Sequence, residues 1–344
     1  MNMKRFACGA LAAVLLAVPA LAADPGAPLA EGGEQDMAIG GGAPGFQLPQ
    51  QRTLDPVELY GTVTSVLENG LLLARGDEKG DVVLHVSEKT AVVDAVTGES
   101  RSLEDVKESD TIYAWASPAM TRSLPPQTSA MVIVCNIPQD FHVPTYLEVQ
   151  RVSRKEDGTV SALTNGSIVL HMSEDTELFS YQTKDAVGLD SIKPGAKVLA
   201  WYSMVAMSMP AQTTPSKVMV FPYDYAGWLS LNGVDDVAVN GEKLELPAVP
   251  YVEDEELMLP VRSLAEALGC EVTWSAERPD QVEVEKDGRS LYTLTIGGDT
   301  AVVEGDMVTE LTRTVTAREG VTSVAASDLA SLHDLKVESW GITF

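Results

Sequence analysis

One stretch of this chain occurs twice, with 86 residues between matching positions. The clearest matches are His85-Val86-Ser87-Glu88-Lys89-Thr90 with His171-Met172-Ser173-Glu174-Asp175-Thr176, and Ile112-Tyr113-Ala114-Trp115 with Val198-Leu199-Ala200-Trp201. Self-similarity at a fixed spacing indicates a duplicated structural unit. The sequence therefore predicts two similar domains in tandem, at residues 57–138 and 143–223.

Each repeat is predicted to contain five strands and one short helix. In the first repeat, Asn69-Gly70 is a strong turn signal, Asp81–Val86 alternates like a strand, and Ser102 to Asp105 has capping-box spacing. The order strand-strand-strand-helix-strand-strand resembles a small OB-like barrel. Another five-stranded barrel or a short sandwich also fits this order.

The N-terminal segment, up to Pro56, is predicted to lie outside the folded domains. Residues 1–22 combine Lys4 and Arg5, an apolar stretch and a small-x-small ending, which is the pattern of an export signal. Residues 23–56 are rich in Gly, Pro and Ala, which is typical of a disordered spacer. We therefore expect a secreted, extracellular protein, or one that is associated with the cell envelope.

The charge of the chain narrows the range of partners. Removal of the predicted leader takes away Lys4 and Arg5 and changes the net charge from −26 to −28. Such an acidic surface repels phosphate backbones and anionic lipids, so we expect no nucleic-acid partner. No apolar run reaches the ~20 residues that a membrane-spanning helix needs, so we also expect no direct membrane insertion.

Two cysteines follow the leader, and both lie among apolar residues. The 86-residue spacing matches Cys135 with Phe221, which indicates a buried apolar position rather than a reactive thiol. Cys270 is also expected in a core. A disulfide between them would join separate domains, and the sequence alone does not establish such a pairing.

The loop before the last strand of each repeat is the candidate binding surface. The loops Ser117–Thr128 and Ser203–Thr214 share Met, Ser, Pro, Gln and Thr, although loops usually diverge after duplication. Packing of the loops on their own barrels would also explain this similarity. The candidate surface residues are Met120, Arg122, Met204, Met207 and Met209.

Three of these residues form an M-x-x-M-x-M cluster. Thioethers suit Cu(I), so Met204, Met207 and Met209 raise the alternative of copper handling. Methionine more often fills apolar gaps, and no metal site or cofactor is assigned. The matched residues Trp115 and Trp201 are expected in a core.

The C-terminal part, residues 228–344, has a different pattern. Its Val239-Asn240-Gly241, Leu257–Gly269 and Val272-Thr273-Trp274 segments resemble the copper amine oxidase-like N-terminal domain, also called a stalk domain. The resemblance implies an α+β module that lies outside the catalytic domain of the oxidases, and it implies no copper or quinone site. A degenerate second copy follows, in which Ala325 stands in place of Pro260.

Together these features predict a mainly β chain, with two tandem OB-like barrels followed by a stalk-type α+β domain. The sequence contains no G-x-S-x-G, H-E-x-x-H or C-x-x-C motif, and Glu253–Glu256 is expected to form a solvated turn. We expect a non-enzymatic interaction or structural protein that binds a cell-wall or envelope component or another extracellular protein. The alternatives are copper handling by the methionine loop, or an exported hydrolase without a recognisable motif.

Overall fold

The computed structural model describes residues 55–76, 80–303 and 307–338. The predicted leader, the predicted spacer up to residue 54 and the C-terminal segment from residue 339 onward lie outside these ranges. Within them, the chain is mainly β, and the α-helices belong to the C-terminal third. None of the described helices is long and apolar enough to cross a membrane.

The described residues of the first repeat, 57–76 and 80–138, form seven strands and one turn of 3-10 helix at Leu103–Asp105. The strands are β1 (Val57–Leu67), β2 (Gly70–Arg75), β3 (Asp81–His85), β4 (Ala91–Asp94), β5 (Ser100–Arg101), β6 (Thr111–Ala116) and β7 (Gln127–Cys135). Five of them form a closed ring in the order β1-β2-β3-β7-β6, which returns to β1. The ring closes through a parallel pairing of β3 with β7, and its interior is apolar. The small barrel that the sequence predicted is therefore present.

The second repeat builds the same ring. Its strands are β8 (Thr145–Arg154), β9 (Val160–Thr164), β10 (Ile168–Met172), β11 (Glu177–Ser180), β12 (Lys197–Trp201), β13 (Ala211–Thr213) and β14 (Lys217–Val220). β13 and β14 together replace the single strand β7: β13 pairs in parallel with β10, and β14 pairs with β12.

Strands β4 and β11 were missed by the sequence analysis. Each follows the third strand of its barrel and pairs in parallel with the last strand, so the sheet extends beyond the ring. The apolar, β-branched run Ala91-Val92-Val93 is typical of a strand, but the predicted five-stranded barrel was complete without it. The extra strands create an outer apolar face on each barrel.

The match between Cys135 and Phe221 was wrong by one residue. Leu84 pairs with Thr128 in the first barrel, whereas Leu170 pairs with Thr213 in the second, so the last strands match at a spacing of 85. The second loop is one residue shorter, and a shift of one residue moves every strand side chain to the other face. Cys135 therefore corresponds to Val220, and both lie inside their barrels.

The outer faces of the two barrels pack on each other. Trp115 and Trp201, which were expected in a core, are buried in this inter-barrel cluster rather than inside the rings. The indole Nε1 of Trp201 donates a hydrogen bond to the backbone oxygen of Ala95 in the first barrel, at 2.6 Å. Phe179 packs against the same indole, with ring centroids 6.2 Å apart. The two repeats thus share one core.

We predict that Trp201→Ala lowers the free energy of unfolding by about 3–5 kcal/mol, because it opens a cavity and leaves the Ala95 oxygen without its donor. Urea denaturation measures this change. Trp274→Ala is the matched control, because Trp274 is 57% exposed; its cost should be below about 1 kcal/mol. Equal losses in the two variants would contradict the assignment of Trp201 to a shared core.

The C-terminal domain contains three sheets and two helices within the described residues. Its elements are β15 (Gly227–Leu231), β16 (Val237–Val239), β17 (Glu242–Lys243), β18 (Tyr251–Glu253), β19 (Glu256–Pro260), α1 (Val261–Ala267), β20 (Glu271–Ser275), β21 (Arg278–Lys286), β22 (Arg289–Thr295), β23 (Thr300–Val303), β24 (Met307–Glu310), β25 (Thr316–Arg318), β26 (Val321–Ala325), α2 (Ala326–Leu332) and β27 (Leu335–Val337). One apolar core connects all three sheets. Cys270 lies in this core, apart from Cys135, and both thiols are free.

The predicted internal copy of this domain appears as a local two-fold arrangement. β19 and β26 pair antiparallel, with Met258 opposite Ala325, Leu259 opposite Val324 and Pro260 opposite Ser323. In the internal repeat Ala325 is the counterpart of Pro260, so Val324 is the counterpart of Leu259. The register therefore places Leu259 opposite its own counterpart. Each strand then continues directly into its helix, α1 or α2.

The acidic run Glu253–Glu256 is only partly the solvated turn that the sequence suggested. Asp254 and Glu255 have φ values of 46° and 71° and form the turn between β18 and β19. Glu256, in contrast, is buried and accepts a hydrogen bond from Ser327 Oγ at 3.2 Å. Burial raises the pKa of the Glu256 carboxyl above its usual range.

A buried tyrosine–histidine pair joins the five-stranded sheet to α2. Tyr292 and His333 lie 2.8 Å apart between the hydroxyl oxygen and Nε2, and both side chains are buried. Burial, with a smaller contribution from Lys286, lowers the pKa of His333 from 6.5 to about 4. The folded protein therefore keeps this imidazole neutral under conditions in which the unfolded chain protonates it.

The lowered pKa of His333 predicts that the folded protein loses stability in mild acid. Below pH 6.5 the unfolded state gains a proton at His333, and the folded state does not until about pH 4. Between pH 7 and pH 4.5 the wild type should lose about 2 kcal/mol more than His333→Gln. Urea denaturation of both proteins at several pH values measures this difference. Titratable groups that both proteins contain, such as Glu256, contribute equally to both and cancel. Parallel stability curves would contradict this role of His333.

Candidate functional site: the duplicated loops

The two duplicated loops sit at matching places on the two barrels. The first connects β6 to β7, and the second connects β12 to β13. Each therefore borders the parallel pairing that closes its ring. In each loop a peptide bond before proline is cis, at Leu124–Pro125 and Met209–Pro210.

The same hydrogen bonds shape both loops. The Thr121 N–H donates to the Gln127 oxygen at 3.0 Å, and the Ala206 N–H donates to the Gln212 oxygen at 2.8 Å. Near the tips, Ser123 Oγ donates to Pro125 O and Ser208 Oγ to Pro210 O, both at 2.7 Å. These bonds align the loops at the same spacing of 85 as the last strands. Shared Ser, Pro and Gln residues therefore have a local structural explanation.

A histidine–glutamine contact fastens each loop to the third strand of its barrel. His85 Nε2 lies 2.8 Å from Gln127 Oε1, and His171 Nε2 lies 2.9 Å from Gln212 Oε1. His171 also contacts Ser161 Oγ through Nδ1, at 2.9 Å. Both ring nitrogens of His171 are thus engaged within the barrel. The repeated histidines therefore have a structural role, which is to hold the loops.

The structure divides the predicted surface residues into two groups. Met120 is half-buried and packs against the core of the first barrel. Arg122 is exposed, and so are Met204, Met207 and Met209, at 81, 106 and 100%. With the spacing of 85, Arg122 corresponds to Met207 and Met120 to Val205. The single methionine of the first loop therefore does not match the exposed methionines of the second.

Leu124 is a surface residue that the sequence analysis missed. It corresponds to Met209, it also precedes the cis proline, and its side chain is 97% exposed. An alignment with a one-residue gap in the second loop would have matched these two apolar residues. Each barrel therefore carries an uncovered apolar side chain at the tip of its loop.

The exposed methionine sulfurs are the soft ligands that this loop offers. Within the described ranges, His, Cys, Asp and Glu side chains form no group of three that could hold a metal ion. Segment 203–216 also contains no charged residue. The second loop can therefore offer apolar contact or thioether coordination, and the first loop offers Leu124 and a guanidinium.

We predict that Gln212→Leu loosens the second loop by removing its contact with His171. Amide hydrogen exchange within residues 206–211 should accelerate about tenfold, which corresponds to the roughly 1.4 kcal/mol expected for one hydrogen bond. Exchange measured by NMR or mass spectrometry tests this. Gln182→Leu, at an exposed position of the same barrel, is the matched control and should leave the loop unchanged. Unchanged exchange in Gln212→Leu would show that the contact does not hold the loop.

The C-terminal third of the chain matches the model of a known protein family. Residues 238–341 match the family model for the copper amine oxidase N-terminal domain. This confirms the resemblance inferred from the Leu-Pro-Val-Arg helix start and the Val-x-Trp strand. The matched domain is a non-catalytic, stalk-type module, and the match includes no catalytic domain. A search of curated proteins finds no match to the chain.

Proposed function

We propose that this chain is a non-enzymatic, exported interaction protein whose barrel loops bind an apolar surface on an envelope component or another extracellular protein. The observation that carries this proposal is the exposure of Leu124, Met207 and Met209, each 97% or more. Large apolar side chains that a folded protein leaves uncovered mark interaction sites when they cluster. In the second loop, Met204 adds to such a cluster.

The charge distribution supports an uncharged, apolar partner surface. Charged residues make up 22% of the chain, yet segment 203–216 has none. A partner that approaches this loop therefore avoids desolvating carboxylates, which is costly unless each one gains a partner. Full burial of an apolar side chain contributes roughly 1.5–3 kcal/mol. These contacts must also offset the roughly 4–15 kcal/mol that association costs in translational and rotational freedom, so the proposal requires several of these side chains to be buried together.

The export part of the proposal rests on the leader pattern at residues 1–22, and the non-enzymatic part on the stalk-type module. In this arrangement the C-terminal domain serves as a support for the tandem barrels. The inter-barrel core supports the same arrangement, because it holds the two loop-bearing barrels in a fixed relation.

Copper handling is a second candidate, favoured by the full exposure of the same thioethers. Cu(I) binding needs the sulfur atoms, whereas apolar docking needs only the shape and hydrophobicity of the side chains. Replacement by leucine therefore separates the two functions. The volume hardly changes, so stability should change by less than about 1.5 kcal/mol.

We predict that replacing Leu124, Met204, Met207 and Met209 by serine reduces retention of the full mature chain on isolated cell-envelope material at least tenfold. Replacing the three methionines by leucine should preserve retention. Co-sedimentation measures both effects, and titration of Cu(I) into wild type and the leucine variant tests the rival function.

The matched control is Met307→Ser with Val308→Ser, at residues that are 63 and 66% exposed on a different part of the chain. This control should bind like wild type. Wild-type retention by the four-serine variant would refute the docking surface. Loss of both retention and Cu(I) binding in the leucine variant would favour copper instead.

A further inference from the structure

A groove of about 590 Å³ opens on the C-terminal domain, far along the chain from the loops. It lies where β19 passes into α1, and it is bordered by β20 and by the β25–β26 hairpin. Pro260, Val261, Val272 and Trp274 contribute to its lining. These residues belong to the Leu-Pro-Val-Arg and Val-x-Trp segments, so the segments that resemble the family also line the groove.

Among the residues that the structure describes, two strands beside this groove pair on one side only. β20 is the first strand of the five-stranded sheet and pairs with β21 on one side. β25 is the last strand of its four-stranded sheet and pairs with β26 on one side. An edge strand presents backbone N–H and C=O groups that can pair with a further strand. The groove therefore combines apolar walls with a template for an extended chain.

Trp274 is positioned to contact a ligand without rearranging. Its side chain is 57% exposed, although it is one of the largest apolar groups in the domain. The indole Nε1 donates a hydrogen bond to the Pro279 oxygen at 3.0 Å, and Pro279 also lines the groove. This bond fixes the ring while its surface stays open, so little side-chain freedom is lost on binding.

Among the described residues that line the groove, the guanidinium of Arg262 is the one charged group, and none carries a carboxylate. This is unusual in a chain with 50 acidic and 24 basic residues. Arg262 contacts Glu266 at 3.1 Å, but both side chains are more than half exposed, and such a pair contributes little energy. Arg262 can therefore turn to a carboxylate supplied by a partner.

We propose that this groove binds an extended peptide segment of another protein, which adds as a strand beside β20. Addition of a strand gives affinity through main-chain hydrogen bonds, and pockets for alternate side chains give specificity. Alternate apolar side chains of the peptide enter the groove between Trp274 and Val272, and an acidic side chain pairs with Arg262. This partner class goes beyond the loop-mediated function and does not depend on it.

The test uses the full mature chain and the capped heptapeptide Thr-Val-Thr-Glu-Thr-Val-Thr, whose two valines and central glutamate lie on one face of an extended strand. Isothermal titration should detect binding by the wild type. Arg262→Glu and Trp274→Ala should each weaken binding at least tenfold. The same peptide with N-methylated backbone nitrogens should fail to bind, because it cannot donate the ladder hydrogen bonds, and a lysine in place of the glutamate should weaken binding.

Arg289→Glu is the matched control, because Arg289 is exposed in the same domain, lies in β22 and does not line the groove. It should bind the peptide like wild type, and so should the four-serine loop variant. Absence of binding at 1 mM peptide would overturn the proposal. So would equal binding of the N-methylated peptide, or a groove that instead binds an oligosaccharide or a second copy of the chain in a Trp274-dependent manner.

Discussion

The apolar layer between the two barrels is the constraint on which the arrangement of the N-terminal part depends. Each ring has a small interior, and β4 and β11 extend its sheet into an outer apolar face that a single barrel would leave in water. Packing these faces together buries Trp115 and Trp201 and gives the Trp201 indole a hydrogen-bond acceptor, Ala95, in the other repeat. The duplication therefore gives each barrel a partner that covers its outer apolar face. Units of this size bury a limited fraction of their surface alone and gain from a shared core.

A second, polar junction joins the second barrel to the C-terminal domain. Lys336 contacts Glu148 of the second barrel, and Glu338 Oε1 lies 3.9 Å from Arg151 Nε of that barrel. Glu338 also accepts a hydrogen bond from Ser230 of its own domain. The lysine of β27 and the glutamate just after this strand are buried, so these charges are paired across the junction rather than solvated. Paired buried charges add little net stability, but loss of one partner leaves the other unpaired. The junction therefore fixes one relative orientation of the barrel and the stalk-type domain.

The similarity of the two loops does not show which of their residues are exposed. The sequence indicated that both loops were retained together, and much of their similarity proves to be structural, since His85 and His171 hold Gln127 and Gln212. The residues that remain uncovered are different ones: Leu124 and the three methionines of the second loop. Met120, which the sequence grouped with them, packs against its own barrel. Exposure depends on the path of the loop backbone, and a list of shared residue types does not contain that information.

The sequence by itself determined the duplication, the barrel strands and the stalk-type domain. The strands and the stalk-type domain rest on local periodicity and turn residues, which act over short distances along the chain. The duplication rests on a fixed spacing of 86 residues, which the sequence alone displays. Only the tertiary structure decided which face each residue occupies after the second loop, because one missing residue there reverses the alternation of the last strand. It also decided that the tryptophans lie between the barrels, that Glu256 is buried, and that Pro260, Arg262 and Trp274 line one groove. Each of these depends on contacts between residues distant in sequence, and such contacts are set by packing rather than by local pattern.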